Sequence, residues 1–275
     1  MSRYDDRNKL NDLTGKEWLK LTSSFRTTEK CKDDKEAMKH PAPFLIKDIE
    51  KLISMFTKQS MTVLDMFCGS GTTLLSACNL KRKGIGIDIN QKYRELALNR
   101  LKAKNYQEGI DFDYLVGDAI DVLKTIDSVD YVITSPPYHN ILRNTADGIR
   151  SDKTAKGFRN GGRTGIVYYS ENENDLGNKA TYQDFLHSLG KIMEIAYKLL
   201  KHKKYCTIVI SDFTVEKQEV NVQGDVVNLM SDIGFEFSGT TVLLQPNKPL
   251  YPFGYPYAYK INHHHQNLIT FRKKI

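Results

Sequence analysis

The stretch Val63-Leu64-Asp65-Met66-Phe67-Cys68-Gly69-Ser70-Gly71-Thr72-Thr73 runs from a buried apolar strand through a glycine turn into the start of a helix. Glycines at 69 and 71 let a ligand approach the backbone closely. The free amides of the new helix favour a carboxylate or another anionic group. On its own such a turn is equally an ordinary strand-to-helix connection. Two later acids separate the readings. Asp88 ends the next apolar run, Gly84-Ile85-Gly86-Ile87-Asp88, followed by Ile89, and lies where an acid can hold two ribose hydroxyls. Asp118, between Gly117 and Ala119, ends a third run on the same edge. A pyrophosphate-binding turn fits less well. Gly69-Ser70-Gly71-Thr72-Thr73-Leu74 lacks a third glycine, and Asp65 would repel a pyrophosphate while suiting an ammonium or sulfonium ligand.

Outward from this stretch the pattern alternates. Strands are predicted at 62–66, 84–88, 113–117 and 129–134, with helices at 72–80, 91–103 and 119–125 between them. Such alternation implies right-handed βαβ units and a mainly parallel, doubly wound α/β sheet with ligands at the carboxyl ends of its strands. Upstream, Phe44, Leu45, Ile49, Leu52, Ile53 and Phe56 recur at helical spacing. Residues 1–39 are polar apart from a patch at Trp18, Leu19, Leu21 and Phe25, which predicts an N-terminal helical extension packed on the core. Downstream, residues 139–180 break the rhythm with Gly, Asn and Arg, and read as an inserted basic loop. Thr181 and Asp184 form a capping box that opens a helix through Leu200. Strands at 205–211, 235–244 and 267–272 follow, with a helix at about 225–233. The expectation is a single domain over residues 40–275.

The fourth strand, Val129 to Thr134, ends in Ser135-Pro136-Pro137-Tyr138. Consecutive prolines lack amide hydrogens and fix φ, so the backbone leaves the sheet there as a stiff corner that displays acceptors. A hydroxyl, proline carbonyls and an aromatic ring together suit a flat ring carrying an exocyclic amine. A net charge of +7 over 275 residues is compatible with an anionic partner and equally with a solvated lysine-rich surface. Cys31, Cys68, Cys78 and Cys206 lie far apart, which suggests reduced thiols rather than zinc or disulfides. His263-His264-His265 lacks an evident fourth ligand, so no metal is expected. No apolar run approaches the length of a membrane span and no signal sequence is apparent, so a soluble cytoplasmic protein is expected.

With these residues in place the chain resembles the amino-group DNA methyltransferases that use S-adenosylmethionine. Asp65 to Gly71 looks like their glycine motif, Ser135 to Tyr138 like their catalytic tetrapeptide, and His40-Pro41-Ala42-Pro43-Phe44 like the motif that covers the methionine end of the cofactor in many members. Tyr251-Pro252-Phe253-Gly254-Tyr255-Pro256 is similar to a tract of some bacterial members. The resemblance implies a Rossmann-like methyltransferase fold with an antiparallel C-terminal strand. It also implies S-adenosylmethionine as cofactor and a base flipped out of DNA as substrate. Serine at the head of the tetrapeptide points to the N4 amine of cytosine, with adenine N6 the alternative and RNA or protein amides further away. A silent nucleic-acid-binding module is the reading from another class, against which the intact tetrapeptide argues. A cognate restriction nuclease is the implied partner, and the chain works as a monomer or homodimer.

On that basis Ser135, Pro136, Pro137 and Tyr138 are the candidate catalytic residues. His40, Pro41, Asp65, Phe67, Cys68, Gly69, Ser70, Gly71, Thr72, Thr73, Asp88, Ile89, Asp118 and Ala119 are the candidate cofactor residues. Asp65 is expected to meet the cofactor ammonium directly or through water. His40 reads either as a ligand contact or as a local hydrogen-bonding residue. Arg143, Arg150, Arg159 and Arg163 are candidate DNA contacts if residues 139–180 form a lid, and a disordered loop is the other reading. The tract 249–259 walls the base pocket or packs the sheet edge, and Asp212 faces the ligand edge or caps a turn.

Overall fold

Several strands of this chain are apolar without alternation because both faces of the sheet are covered. In the computed structural model, which describes residues 4–139, 169–216 and 218–274, Val63, Tyr131, Ile133, Val209 and Leu268 pack on one face. Leu64, Val132, Ile208 and Ile269, their neighbours in sequence, pack on the other.

In chain order the elements are α1 (Gly15–Leu21), β1 (Phe25–Thr27), α2 (Ile46–Phe56), β2 (Thr62–Asp65), α3 (Thr72–Asn79), β3 (Lys83–Asp88), α4 (Gln91–Lys102), β4 (Phe112–Val116), α5 (Ala119–Leu123), β5 (Val129–Thr134), α6 (Tyr182–Leu199), β6 (Leu200–Ile210), β7 (Phe213–Val215), β8 (Gln218–Val220), α7 (Val222–Ile233), β9 (Phe235–Leu244) and β10 (His265–Lys273). The sheet order is β1-β9-β10-β6-β5-β2-β3-β4. β6, β5, β2, β3 and β4 run parallel, and β10 runs antiparallel to both β6 and β9. This is the expected Rossmann-like sheet with an antiparallel C-terminal strand. Helices α2, α3 and α4 bury their apolar sides on one face, and α5, α6 and α7 on the other.

The N-terminal region departs from its expectation. Trp18 and Leu21 pack toward α2, but Phe25 and Leu19 are exposed, and Phe25 to Thr27 add a short parallel strand to β9. A three-residue strand is held by its backbone ladder, so side-chain periodicity does not announce it. The antiparallel pair β7 and β8 was likewise not expected.

The strand order reverses at β2, whose neighbours are β3 on one side and β5 on the other. Ligands of open α/β sheets bind in the crevice beyond the carboxyl ends at such a point. Here that crevice lies between the loop after Asp65 and the corner after Thr134.

Candidate active site

Asp65 closes β2 with its side chain directed beneath the glycine loop, fully buried at 0 % exposure. Its carboxylate accepts hydrogen bonds from Thr73 Oγ1 at 2.5 Å, Thr134 Oγ1 at 2.7 Å and the Phe67 amide at 3.1 Å. Burial pushes this carboxyl up to about 6 in spite of the three donors. The residue thus ties β2, α3 and β5 together across the switch point. It does not line the cavity described below, and three protein donors occupy three of its acceptor sites.

The two glycines of the loop serve different purposes. Gly69 has φ +49°, and a Cβ there would sit 2.9 Å from His40 Nε2 at the cavity wall. Gly71 has φ +74°, and its Cβ would sit 2.6 Å from the Ala97 Cβ on α4. Gly71 therefore lets α4 pack against the loop from behind. Arg100 on the same helix, buried, donates to the Ser70 carbonyl and to Thr72 Oγ1 at 3.0 Å, holding the loop from beneath.

A cavity of about 470 Å³ opens at the carboxyl ends of β2 to β5. Every expected catalytic and cofactor position lines it except Asp65, Gly71 and Thr73, which form the layer behind. Asp88 accepts from the Gly69 amide at 2.8 Å through Oδ2 and from the Asn90 amide at 2.9 Å through Oδ1. Desolvation, with a smaller push from Asp175 and Asp65, raises its carboxyl to about 7. Asp118 caps α5 by accepting from the Ile120 amide at 2.8 Å. His40 Nδ1 accepts from the Ala42 amide at 3.2 Å, which leaves the ring proton on Nε2 above Gly69. Its ring also meets Tyr93 edge-on at 4.4 Å.

At the other end stands the proline corner. The Tyr138 hydroxyl oxygen accepts from the Ser211 amide and from Gln266 Nε2, both at 3.1 Å, and the ring stacks on Phe213 at 5.7 Å. Gln266 in turn accepts from Gln245 Nε2 at 3.0 Å. The tyrosine is thus fixed by the ends of β6 and β10 and by an amide chain leading to the end of β9.

Sequence reading missed several lining residues. Tyr169, Asn174, Asp175 and Leu176 re-enter the cavity beyond the basic insertion, where Asn90 Nδ2 donates to the Tyr169 carbonyl at 2.7 Å. Asp175 is buried and accepts from Ser170 Oγ at 2.6 Å and the Gly177 amide at 2.9 Å. The Asn-Glu-Asn-Asp run at 172–175 was the available signal, as a cluster of turn-forming residues. Gln245 and Gln266 carried none, since only antiparallel pairing brings β9 and β10 to the site.

The open readings resolve unevenly. Asp212 does not line the cavity and accepts from the Gln223 amide at 2.9 Å in the first turn of α7, whose N-cap is Asn221. Of the tract 249–259 only Pro249 lines the cavity, while Leu250, Phe253, Tyr255, Tyr257 and Tyr259 are exposed. Arg143, Arg150, Arg159 and Arg163 lie outside the described residues. Among the described residues no helix is long and apolar enough to cross a membrane.

The end of the cavity over the glycine loop presents the carboxyls of Asp88, Asp118 and Asp175 beside Phe67 and Ile89. That set of acceptors suits a cationic nucleoside with hydroxyls and an amine, and it disfavours a polyphosphate.

Comparison with known proteins agrees with this chemistry. A methyltransferase domain model matches residues 57–236 and a DNA methylase model of the N6/N4 kind matches residues 2–99. The chain is 38 % identical over 102 residues to the Type II methyltransferase M2.DpnII of Streptococcus pneumoniae, a match covering 37 % of this chain and 36 % of that protein. It is 36 % identical over 92 residues to the Type II methyltransferase M.BglI of Bacillus subtilis, covering 34 % of this chain and 25 % of the relative. The matched stretch thus spans about a third or less of these relatives' own length. Among solved structures, TrmN from Thermus thermophilus aligns at a TM-score of 0.52 and 16 % identity, over 88 % of this chain and 52 % of that one. Precorrin 8w decarboxylase of Methanobacterium thermoautotrophicum aligns at a TM-score of 0.51 and 13 % identity, over 90 % and 96 %. Both likenesses concern the fold. The chain belongs to the methyltransferase domain family, whose model matches more than half of it, and takes S-adenosylmethionine as its cofactor.

Proposed function

We propose that this chain transfers a methyl group from S-adenosylmethionine to the exocyclic N4 amine of a cytosine flipped out of DNA. The carrying observation is that one cavity joins the glycine loop and the acids of β3 and β4 to the Ser135-Pro136-Pro137-Tyr138 corner. When bound, the cofactor supplies an electrophilic methyl group on sulfur. In this reading Asp88 accepts the ribose hydroxyls through lone pairs that the Gly69 and Asn90 amides leave over, and Asp118 accepts from the adenine amine. Phe67 and the Gly69 backbone flank the methionine end, and the Nε2 proton of His40 faces the same wall.

A cytosine amine is a weak nucleophile because its lone pair is delocalised into the ring. The Ser135 hydroxyl and the carbonyl of Ser135 or Pro136 accept its two hydrogens, so the nitrogen pyramidalises and turns its lone pair toward the methyl group. Tyr138, which lines the cavity, stacks on the base and is already held in place by Ser211, Gln266 and Phe213. The target must leave the duplex because its amine is otherwise paired. The names of the relatives, Type II methyltransferases, support placing the chain beside a cognate restriction nuclease.

Digestion of methylated plasmid to nucleosides followed by mass spectrometry tests the assignment. N4-methylcytosine is the expected product, and N6-methyladenine as the sole product would move the reaction to adenine.

A further inference from the structure

Between β9 and β10 the chain makes an excursion over residues 245–264 that the reaction above does not use. Its lower end belongs to the cavity: Gln245, Lys248 and Pro249 line it, and Gln245 reaches Tyr138 of the proline corner through Gln266. Its upper end turns away from the protein. Tyr255, Tyr257 and Tyr259 are 77 %, 94 % and 87 % exposed, although such rings normally bury at least one face.

The excursion is a built structure. Asn262 clamps its base through both side-chain atoms, Oδ1 accepting from the Tyr251 amide at 3.0 Å and Nδ2 donating to the Tyr251 carbonyl at 2.8 Å. The Tyr257 and Ala258 amides both donate to the Gly254 carbonyl at 2.7 Å, closing a turn at the tip. Gly254 has φ +78°, and a Cβ there would fall 2.2 Å from the Ala258 carbonyl oxygen, so the turn requires glycine. A tip fixed in this way holds its rings out in water.

Charge selects the occupant. From Phe237 to the C-terminus the sequence contains no Asp or Glu, while Lys248 and Lys260 flank the tyrosines. Exposed aromatic rings between lysines, in a segment without acids, match a polyanion that presents flat faces.

We infer that the 250–261 excursion is a DNA-docking element whose tyrosines stack on bases next to the flipped nucleotide. Its position follows from its root. The segment leaves the cavity wall beside Ser135 to Tyr138, so its tip stands over the DNA at the gap left by the extruded base. The inference rests on the proposed DNA methylation, and it adds the surface that holds the gap open.

The test uses the full chain with Tyr255, Tyr257 and Tyr259 all replaced by alanine, and a companion with all three replaced by phenylalanine. The rings contribute little burial, so both variants should keep the wild-type thermal midpoint. Fluorescence anisotropy with a labelled 30-bp duplex of plasmid sequence reads DNA affinity, calorimetry reads S-adenosylmethionine affinity, sedimentation reads assembly, and mass spectrometry of the whole plasmid reads methylation. The alanine variant should bind DNA about tenfold or more weakly with its cofactor affinity unchanged, and the phenylalanine variant should match the wild type. Unchanged DNA affinity in the alanine variant overturns the inference. So does a variant that loses only self-association, which would assign the rings to a second copy of the chain. Wild type that binds the duplex through these rings without methylating any DNA would instead refute the proposed reaction and support the docking surface.

Discussion

The glycine-loop end of the cavity and the proline-corner end are held in different ways. At the first, carboxylates are anchored by backbone amides: Asp88 by Gly69 and Asn90, and Asp118 by Ile120. At the second, side chains hold one another, with Gln245 and Gln266 leading to Tyr138 and Phe213 stacked beneath it. The first arrangement tolerates little change, because backbone donors cannot be moved without moving the loop. The second can be retuned by exchanging single side chains. A cofactor common to a family and a substrate that varies within it would call for such a division.

The sharpest break in this comparison is replacement of Ser135 and Tyr138 together by alanine. Removing the proposed amine acceptor and stacking ring should lower kcat about a thousandfold while calorimetry finds cofactor affinity unchanged. Weakened cofactor binding in that variant would mean that the two ends are not separable. Next in size is Asp88→Ala, which removes the proposed ribose acceptor and strands the Gly69 amide. Cofactor affinity should fall about a hundredfold, with a much smaller change in DNA binding.

Gly71→Ala probes the layer behind the wall. A Cβ at 2.6 Å from Ala97 and a φ of +74° should lower stability by about 2 kcal/mol, visible as a drop of roughly 4 to 8 °C in the thermal midpoint. Gly71→Ala with an unchanged midpoint would show that α4 simply yields.

A pH series separates the two ends without any substitution. Asp88 sits near 7 in the ligand-free protein, and hydroxyl donors prefer its charged form. Cofactor affinity should therefore rise about tenfold from pH 6 to pH 8, with proton release on binding below 7. The sign for stability is opposite. Between about 4 and 7 the folded Asp88 keeps a proton that the unfolded chain has lost, so this group makes the ligand-free protein less stable as pH rises. The smallest effect is expected at Gln266→Leu, which removes one of two donors to Tyr138 and should cost about fivefold in kcat with little change in KM for the cofactor. An equal rise in KM for the cofactor would show that the amide chain also shapes the glycine-loop end.

Much of the fold could be read from the chain because it is written in local patterns. The run 62–66, the glycine turn and the helix after it appear as β2, the loop and α3 within a residue. Asp88 and Asp118 fall at strand ends, where alternation put them. What escaped depends on distant pairing. β1 joins β9 across most of the chain, and Gln245 meets Gln266 only because β9 and β10 run antiparallel. Asp65 was visible as a residue but not in its orientation. An acid at a strand end can face a ligand or the core, and here Thr73 and Thr134 draw it inward. At Gly71 the space that a Cβ would fill belongs to Ala97 of α4, a contact no local pattern announces.

That inward-facing carboxylate has a consequence for how the two reactants are registered. Methyl transfer needs donor and acceptor atoms in line, and errors in two independently mounted parts add. Through Asp65, the first turn of α3 and the last residue of β5 are positioned from a common origin, each by one short hydrogen bond. One buried carboxylate thus serves as the shared reference for the glycine loop and the proline corner.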